Sequence, residues 1–341
     1  MKEATRARTA GATKAVDLNR TKFATLHQAV ESLSRIEDYA SGPLFSLIVR
    51  TMGDRSELLQ ETLCSVLAQT EQSFEILLMV HAPEAEPPLE TVQEVVSKFP
   101  KSFQEKVRTI PVTRPGRSAP LNDGIDNAKG RVLCILDDDD LLYENHFASV
   151  AESMESNPTS SVWQTYASRR KISVLPGGDE KAVFPYSTDE IETAYTEPFS
   201  TIDQIHENLV PSCNFFVLRA YLKALCYRFD ESLPVLEDWK FLMDITRLSS
   251  VVTVPVITTA IGFRSNNTNT TLNPEMKSDW DDNRIKIKKQ LAEETRVFDG
   301  ADLKELDALI TKFTDMQEKL PMDFEKVMLY AKTLRRMHRV R

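Results

Sequence analysis

Apolar runs alternate with helical patterns along the first half of the chain. Four segments have the apolar character of strands within a sheet: Phe45–Arg50, Phe74–Val80, Val107–Thr113 and Val132–Leu136. The intervening segments 56–69, 89–98 and 118–129 place apolar residues at spacings typical of helices. This order predicts an α/β fold built on a doubly wound, mostly parallel sheet.

The pattern beyond residue 160 is less regular. A strand pair is predicted at Val162–Ala167 and Lys171–Leu175, followed by a polar, mobile loop over 176–200. The later elements are predicted as a strand at Asn214–Leu218, a helix at Tyr221–Cys226, a helix over 236–248, a strand at Val251–Ile257 and charged helices from about residue 280.

Both ends of the chain are basic. Residues 1–22 carry six cations and two acids, and we interpret them as a flexible tail before an amphipathic helix over 23–40. Residues 326–341 carry six cations and no acid. We therefore predict three parts: a basic tail with its helix over 1–43, the main α/β domain over 44–270, and a helical C-terminal extension over 271–341.

The composition is that of a globular protein, with 41% hydrophobic and 27% charged residues among 341. The formal charge of -9 at pH 7 argues against a nucleic-acid partner bound through overall charge. The sequence shows neither a signal peptide nor an apolar run of about 18 residues, so the expected compartment is the cytoplasm. We favour packing of the basic C-terminal helix on the protein, and the alternative is peripheral contact with the inner face of an anionic membrane.

Four consecutive acids, Asp137–Asp140, directly follow the apolar run Val132–Leu136. Ligands of open α/β sheets bind beyond the carboxyl ends of the strands. Adjacent carboxylates repel one another, and a bound cation relieves that repulsion. Because oxygen ligands suit Mg²⁺ or Mn²⁺, and these ions accept phosphate oxygens as further ligands, the cluster predicts a metal and phosphate site. The alternative is a solvated acidic turn.

The acidic cluster is one of several short motifs that follow one another between residues 44 and 265. They are Ser65–Thr70 in the first βα unit, Gly116–Gly124, Ala128–Arg131, the LDDDD segment 136–140, Phe229–Glu231, Glu237–Trp239 and Gly262–Arg264. Together and in this order they resemble the motifs of the family-2 glycosyltransferases, which have the GT-A fold. Each motif alone is weak, and their common order carries the resemblance.

The resemblance implies a metal-dependent, inverting glycosyltransferase that uses a nucleoside-diphosphate sugar donor. The acceptor would be a hydroxyl of a saccharide or glycolipid in polysaccharide or glycoconjugate synthesis. By this resemblance Asp139 is the ligand of Mn²⁺ or Mg²⁺, and Asp238 is the base that deprotonates the acceptor. Asp137 and Asp138 would contact the ribose or the donor sugar, and Asp140 would cap the following segment.

Further contacts with the donor and the acceptor are expected from residues around these motifs. The additional donor-binding candidates are Arg50, Thr51, His81, Arg114, Arg117, Asn122 and Arg264. Glu237 and Trp239 are the acceptor-binding candidates, and the charge of Glu237 would help to raise the pKa of Asp238. Several of these residues have structural alternatives. Asn122 would pack a helix on a strand turn, Trp239 would belong to the core, and Glu237 and Asp238 would simply occupy the first turn of a helix, where the macrodipole favours acids.

The sequence departs from the family pattern at the first two strands. Arg50–Gly53 stands where the family has a P-x-Y-N-like turn, and Val80-His81 stands where it has two acids, one of which contacts the nucleotide base. His81 is therefore either a base or ribose contact or a structural residue. The missing acid keeps a catalytically silent sugar-nucleotide-binding or scaffold protein as an alternative function. A sugar nucleotidyltransferase is disfavoured, because residues 50–57 contain only Gly53 where such enzymes have a glycine-rich phosphate loop.

Overall fold

The computed structural model describes residues 42–173, 187–264, 276–294, 296 and several positions between 302 and 312. The chain divides into two compact units, Met1–Val297 and Phe298–Arg341. The predicted helix over 23–40 and the basic end at 326–341 lie outside the described residues. The three-part division at residues 43 and 270 stays a prediction.

The described part of the first unit alternates strands and helices along the chain. In order these are β1 (Phe45–Thr51), α1 (Ser56–Leu67), β2 (Phe74–His81), α2 (Leu89–Ser97), α3 (Lys101–Gln104), β3 (Val107–Val112), α4 (Ser118–Asn127), β4 (Val132–Asp137), β5 (Leu141–Leu142), α5 (His146–Ser156), β6 (Val162–Ser173), β7 (Ser187–Tyr195), α6 (Thr201–His206), a 3-10 turn (Ser212–Asn214), β8 (Phe215–Leu218), α7 (Arg219–Leu225), α8 (Glu237–Ile245), β9 (Val251–Arg264) and α9 (Lys277–Glu293).

The strands form one curved sheet in the order β3-β2-β1-β4-β8-β6-β9-β5, and β7 pairs with β6. Parallel pairing joins β3 to β2, β2 to β1, β1 to β4, and β6 to β9. The strands β8, β7 and β5 run antiparallel to their neighbours. The predicted α/β fold with a mostly parallel sheet is confirmed. Burial along the whole of β2 explains why its sequence is apolar at nearly every position.

The sheet order places a switch point between β1 and β4. From β1 the chain moves outward through β2 and β3, and it then crosses back to form β4 on the other side of β1. The parallel register sets Arg50 of β1 opposite Asp137 of β4. Because ligands of open α/β sheets bind at such a switch point, beyond the strand ends, the fold brings the acidic cluster to the position where a ligand site is expected.

The middle of the chain differs from its prediction. The predicted strand pair is wrong, because Val162–Ser173 is one continuous strand whose antiparallel partner is Ser187–Tyr195. The cations at 169–171 interrupt the apolar pattern, yet Arg170 is buried and bonded to Glu61 at 2.6 and 2.9 Å. The guanidinium carbon of Arg169 lies 4.4 Å from the centroid of the Phe263 ring, in a cation–π contact. The predicted loop over 176–200 therefore contains a strand, and residues 174–186 lie outside the described part.

The helix α9 packs on α8 through an apolar cluster that is separate from the larger core around the sheet. Ile287 and Leu291 of α9 contact a group that includes Trp239 and Met243 of α8. The side chain of Asn283 also donates a hydrogen bond to the carbonyl oxygen of Val235, just before α8. The first helix after residue 270 therefore supports the segment that carries Glu237 and Asp238. Among the described residues, no helix combines the length and the apolar character that crossing a bilayer requires.

Candidate active site

A chain of ion pairs joins the carboxyl ends of β1 and β4 to the start of α8. Both guanidinium edges of Arg50 are used: Nε and Nη2 donate to the two carboxylate oxygens of Asp137 at 2.9 and 3.0 Å. Nη1 of Arg50 donates to Oε1 of Glu237 at 2.9 Å, and Nε of Arg117 donates to the same oxygen at 3.0 Å. Four predicted site residues, distant in sequence, therefore lie in contact.

These pairs keep their carboxylates ionised inside the protein. Burial alone would raise the pKa of Asp137, but Arg50 holds that pKa below its usual value. Burial would likewise raise the pKa of Glu237, and Arg117 and Arg50 together lower it. Burial tends to lower the pKa of Arg50, which its two acidic partners raise instead. Glu237 is only 3% exposed, so its carboxylate serves this network.

We expect Arg50→Met to reduce the free energy of unfolding by about 3 kcal/mol at pH 7, since it removes the guanidinium that two carboxylates share. Urea denaturation measures this loss. The matched control is Arg228→Met, because Arg228 pairs with Asp126 on the surface, where side-chain exposures are 37% and 59%. That variant should lose less than about 1 kcal/mol. Equal losses in both variants would show that the Arg50 network is not a buried structural unit.

Asp138 accepts hydrogen bonds from two residues, one at the end of β1 and one just after it. The hydroxyl of Thr51 donates to Oδ2 of Asp138 at 2.6 Å, and Nη2 of Arg55 donates to Oδ1 at 2.5 Å. Asp138 is 1% exposed, and burial raises its pKa to about 7 against the opposing charge of Arg55. Arg55 was absent from the predicted site. Its only sequence signal was a cation placed four residues after the end of the first strand.

Asp139 faces two guanidinium groups. Arg264 at the end of β9 donates a hydrogen bond to Oδ2 of Asp139, and Nη1 of Arg55 lies 3.9 Å from the same oxygen. Burial raises the pKa of Asp139, while Arg264 and Arg55 oppose that rise. Asp139 and Arg264, which were predicted separately as metal ligand and donor contact, therefore lie in contact as an ion pair.

The donor set around Asp139 suits only certain metal ions. Within the described residues, no three His, Cys, Asp or Glu side chains are grouped in a way that would hold a metal. Both oxygens of Asp137 and of Asp138 already accept hydrogen bonds. Asp139 still fits an ion that takes one carboxylate and completes its shell with diphosphate oxygens and water, as Mg²⁺ commonly does. Such an ion would compete with Arg264.

Asp140 has a structural position behind the cluster. Its Oδ1 accepts the backbone N–H of Gly262 at 2.9 Å, and its own carbonyl accepts the hydroxyl of Thr62 at 2.9 Å. Gly262 lies so close that a Cβ there would come within 2.4 Å of the carbonyl oxygen of Asp139. A glycine is therefore required for β9 to approach the acidic segment.

Asp238 occupies the first turn of α8, beside Glu237. The preceding residue, Leu236, has a φ of 64°, a left-handed conformation that is strained for a branched side chain and that sets the direction in which the helix begins. Oδ1 of Asp238 accepts the N–H of Trp239 at 2.8 Å, and Oδ2 accepts Nδ2 of Asn208 at 3.2 Å. Burial raises the pKa of Asp238 to about 6, and the charge of Glu237 adds to the rise.

Trp239 and Asn122 have structural surroundings. Trp239 is 0% exposed and its indole N–H donates to the carbonyl oxygen of Gln204 at 2.7 Å, so no face of the ring is open to an acceptor sugar. This burial agrees with the structural alternative, in which Trp239 belongs to the core. The Asn122 amide exchanges hydrogen bonds with the backbone of Phe229 at 2.9 and 3.0 Å and donates to Glu231. It fastens α4 to the Phe229–Glu231 segment.

His81 ends β2 and is bonded to the loop before α4. Its Nε2 lies 2.9 Å from the carbonyl oxygen of Arg114. A carbonyl oxygen only accepts, so Nε2 is the donor in this contact, and Nδ1 is the ring nitrogen that the contact does not use. Arg114 itself donates to both oxygens of Glu231 at 2.8 Å. The structure thus places His81 at a strand end of the sheet edge that holds the cluster, with one nitrogen committed to the backbone.

Residues 46–225, more than half of the chain, match the family model described as glycosyl transferase family 2. The chain belongs to this family. A curated relative from Rickettsia felis, named an uncharacterized glycosyltransferase, is 29% identical over 156 residues, which cover 44% of this chain and 25% of that protein. A relative of the same name from Rickettsia bellii is 23% identical over 212 residues, covering 61% and 28%. The chain spans about a quarter of the length of these relatives.

Solved structures agree with the family assignment at the level of the fold. The structure of S. aureus TarS 1–349 in complex with UDP superposes with a TM-score of 0.52 and 15% sequence identity, covering 84% of this chain and 77% of that one. The family model confirms the resemblance inferred from the ordered motifs, and this superposition confirms the GT-A type of fold.

Proposed function

We propose that this family-2 protein transfers a sugar, with inversion, from a nucleoside-diphosphate sugar to a hydroxyl of a saccharide or glycolipid acceptor. One observation carries the proposal: the Asp137–Arg50–Glu237 contacts place the strand-end acids beside the helix turn that begins with Glu237 and Asp238. The acids proposed to contact the donor therefore lie close to the proposed base. The TarS structure contains UDP, which supports a nucleoside diphosphate as the donor's leaving group.

In the proposed reaction the acceptor oxygen attacks the anomeric carbon of the donor sugar. A bond from that carbon to the acceptor oxygen forms while its bond to the β-phosphate oxygen breaks. Asp238 takes the proton of the hydroxyl, and the electron pair of the broken bond leaves with the nucleoside diphosphate. A single displacement of this kind inverts the anomeric configuration. Polysaccharide or glycoconjugate synthesis is the role we propose for the product.

Positive charge around the acids suits a diphosphate leaving group. Arg55 and Arg264 both lie at Asp139, and arginine is well matched to phosphate oxygens. Asp139 would hold Mn²⁺ or Mg²⁺, and such an ion supplies charge neutralisation at the β-phosphate. Asp138 and Thr51, which are bonded to each other, would face the ribose or the donor sugar.

The test of the proposal is a thermal-shift screen of the five common nucleoside diphosphates with and without Mn²⁺, followed by hydrolysis of the matching nucleotide sugars. At least one diphosphate should raise the Tm, because a ligand that binds only the native state stabilises it. Its nucleotide sugar should be hydrolysed slowly. Stabilisation without any hydrolysis would favour a silent binding or scaffold protein, and no stabilisation by any nucleotide would overturn the donor assignment.

We propose that His81 contacts the nucleotide base or ribose through Nδ1. His81→Ala should then weaken nucleotide binding by about 1–2 kcal/mol, the scale of a lost hydrogen bond. Isothermal titration with the nucleotide identified above measures this change. Inorganic pyrophosphate is the control ligand, since it lacks base and ribose and its affinity should not change. A nucleotide Kd equal to that of the wild type would assign His81 to its structural contact with Arg114 alone.

A further inference from the structure

Asn208 lies beside Asp238 in a segment that no sequence motif marks. It follows α6 in the irregular stretch before the 3-10 turn Ser212–Asn214. Its Nδ2 donates to Oδ2 of Asp238 at 3.2 Å, on the opposite side of the carboxylate from the Trp239 N–H, which donates to Oδ1. Both oxygens of the candidate base therefore receive one hydrogen bond each, from two different elements.

The other end of the Asn208 amide shows what determines its orientation. Its Oδ1 is buried and has no hydrogen-bond partner among the residues that the structure describes. A buried carbonyl oxygen without a hydrogen-bond partner carries a free-energy cost. An amide that could rotate freely would turn its oxygen away from that position. The amide instead presents its nitrogen to Asp238 and leaves its oxygen unsatisfied. The contact with the carboxylate thus decides the orientation of the side chain.

The backbone around Asn208 is fixed to the helix that carries Asp238. The carbonyl oxygen of Gln204 accepts the indole N–H of Trp239 at 2.7 Å, and the Gln204 side chain accepts the backbone N–H of Leu209 at 3.2 Å. Gln204 is 2% exposed. The residues on either side of Asn208 are therefore held against the first turn of α8, so the amide is positioned rather than free to move away.

We propose that Asn208 is a positioning residue for the base: its amide nitrogen orients the Asp238 carboxylate and favours its ionised form. The inference rests on the proposed function, since it assigns Asn208 to the same proton-accepting group. An N–H donor forms a stronger hydrogen bond with an ionised carboxylate oxygen than with an oxygen of the neutral carboxyl group. The charged groups that act on Asp238 besides this amide are Glu237, which favours the protonated form, and Arg117, which opposes it.

The experiment follows the carboxyl carbon of Asp238 by ¹³C NMR during a pH titration, with the signal assigned by its loss in Asp238→Asn. In Asn208→Ala the pKa of Asp238 should rise by about one pH unit, the scale of one lost hydrogen bond to a charged group. In Asn208→Asp it should rise further, because a second carboxylate replaces the donor. The matched control is Asn157→Ala, an asparagine whose amide bonds only Ser153 at the end of α5.

Two outcomes overturn the inference: an Asp238 pKa that does not change in Asn208→Ala, or the same change in Asn157→Ala. If Asn208→Ala does not fold, Asn208→Leu takes its place, because leucine keeps roughly the size of the amide and offers no N–H to the Asp238 carboxylate. Donor hydrolysis provides the second readout, and the acid limb of its pH profile should move upward with the pKa while the donor KM stays unchanged. Absence of hydrolysis in the wild type would count against the proposed function, whereas the NMR titration still decides the role of Asn208.

Discussion

Asp238→Asn is expected to lower kcat for sugar transfer about 10²–10⁴-fold and to leave the nucleotide Kd close to that of the wild type. A general base acts in the transition state and contributes little to the binding of the donor. The amide keeps the size of the carboxylate, and its oxygen can still accept one of the two hydrogen bonds that Asp238 receives. The buried Oδ1 of Asn208 offers an acceptor for the new amide nitrogen once that side chain turns.

The pH dependence of the rate provides a second signature of Asp238. With a pKa of about 6, the residue accepts a proton only after ionising, so the rate should rise with pH below about 6 and become constant above it.

The effect of Asp238 on stability has the opposite dependence on pH. Because the folded-state pKa exceeds the usual value of 3.8, the native state binds this proton more tightly than the unfolded chain does. The contribution of Asp238 to the free energy of unfolding is therefore fully present below about pH 4 and is lost as the pH rises through about 6.

Transfer at saturating donor, a nucleotide titration and a pH profile on the same variant check this prediction. Asp126→Asn is the matched control, because it makes the same chemical change at an exposed acid. Its rate and pH profile should equal those of the wild type. Transfer by Asp238→Asn within a few-fold of the wild type would exclude Asp238 as the base and would leave Glu237 or Asp230 as the next candidate.

The apolar pattern predicted the parallel half of the sheet because burial on both faces requires it. The strands β2 and β4 need apolar side chains at nearly every position, and the segments Phe74–His81 and Val132–Asp137 show this directly, whereas β1 is apolar at Phe45 and at Leu47–Val49. The strand β6 was predicted in two pieces because Arg170 is neutralised by Glu61, which is 109 residues away in sequence. Pairing across such a distance leaves no local signal.

The candidate site was predictable in its acids and less so in their partners. Asp137–Asp140 and Asp238 stand out as short acidic motifs next to apolar segments. Arg55 and Asn208 do not, because each acquires its place only when the loop after β1 and the stretch after α6 fold against those acids. The burial of Trp239 was also open in the sequence, since the apolar cluster that contains it includes Ile287 and Leu291 of α9, far along the chain.

Asp139→Asn is expected to abolish the part of nucleoside-diphosphate binding that depends on Mn²⁺. In the proposed site this carboxylate is the one protein ligand that an ion shares with diphosphate oxygens and water. The substitution removes the negative charge and leaves Arg264 and Arg55, which lie at the same carboxylate, in place. Weak binding of the diphosphate without metal should therefore persist, because the two guanidinium groups remain available to phosphate oxygens.

Calorimetric titrations of the diphosphate with and without Mn²⁺ separate the two contributions. In the wild type, Mn²⁺ should increase the affinity for the diphosphate at least about tenfold, which corresponds to roughly 1.4 kcal/mol. In Asp139→Asn the titrations with and without Mn²⁺ should coincide. Asp140→Asn is the matched control, because the amide oxygen of asparagine can accept the Gly262 N–H as Oδ1 of Asp140 does. That variant should keep the response to Mn²⁺. If binding by Asp139→Asn still strengthens with Mn²⁺ as in the wild type, the ion is held by other residues. The next ligands to test would be Asp137 and Asp138, which would first have to release Arg50 and Arg55.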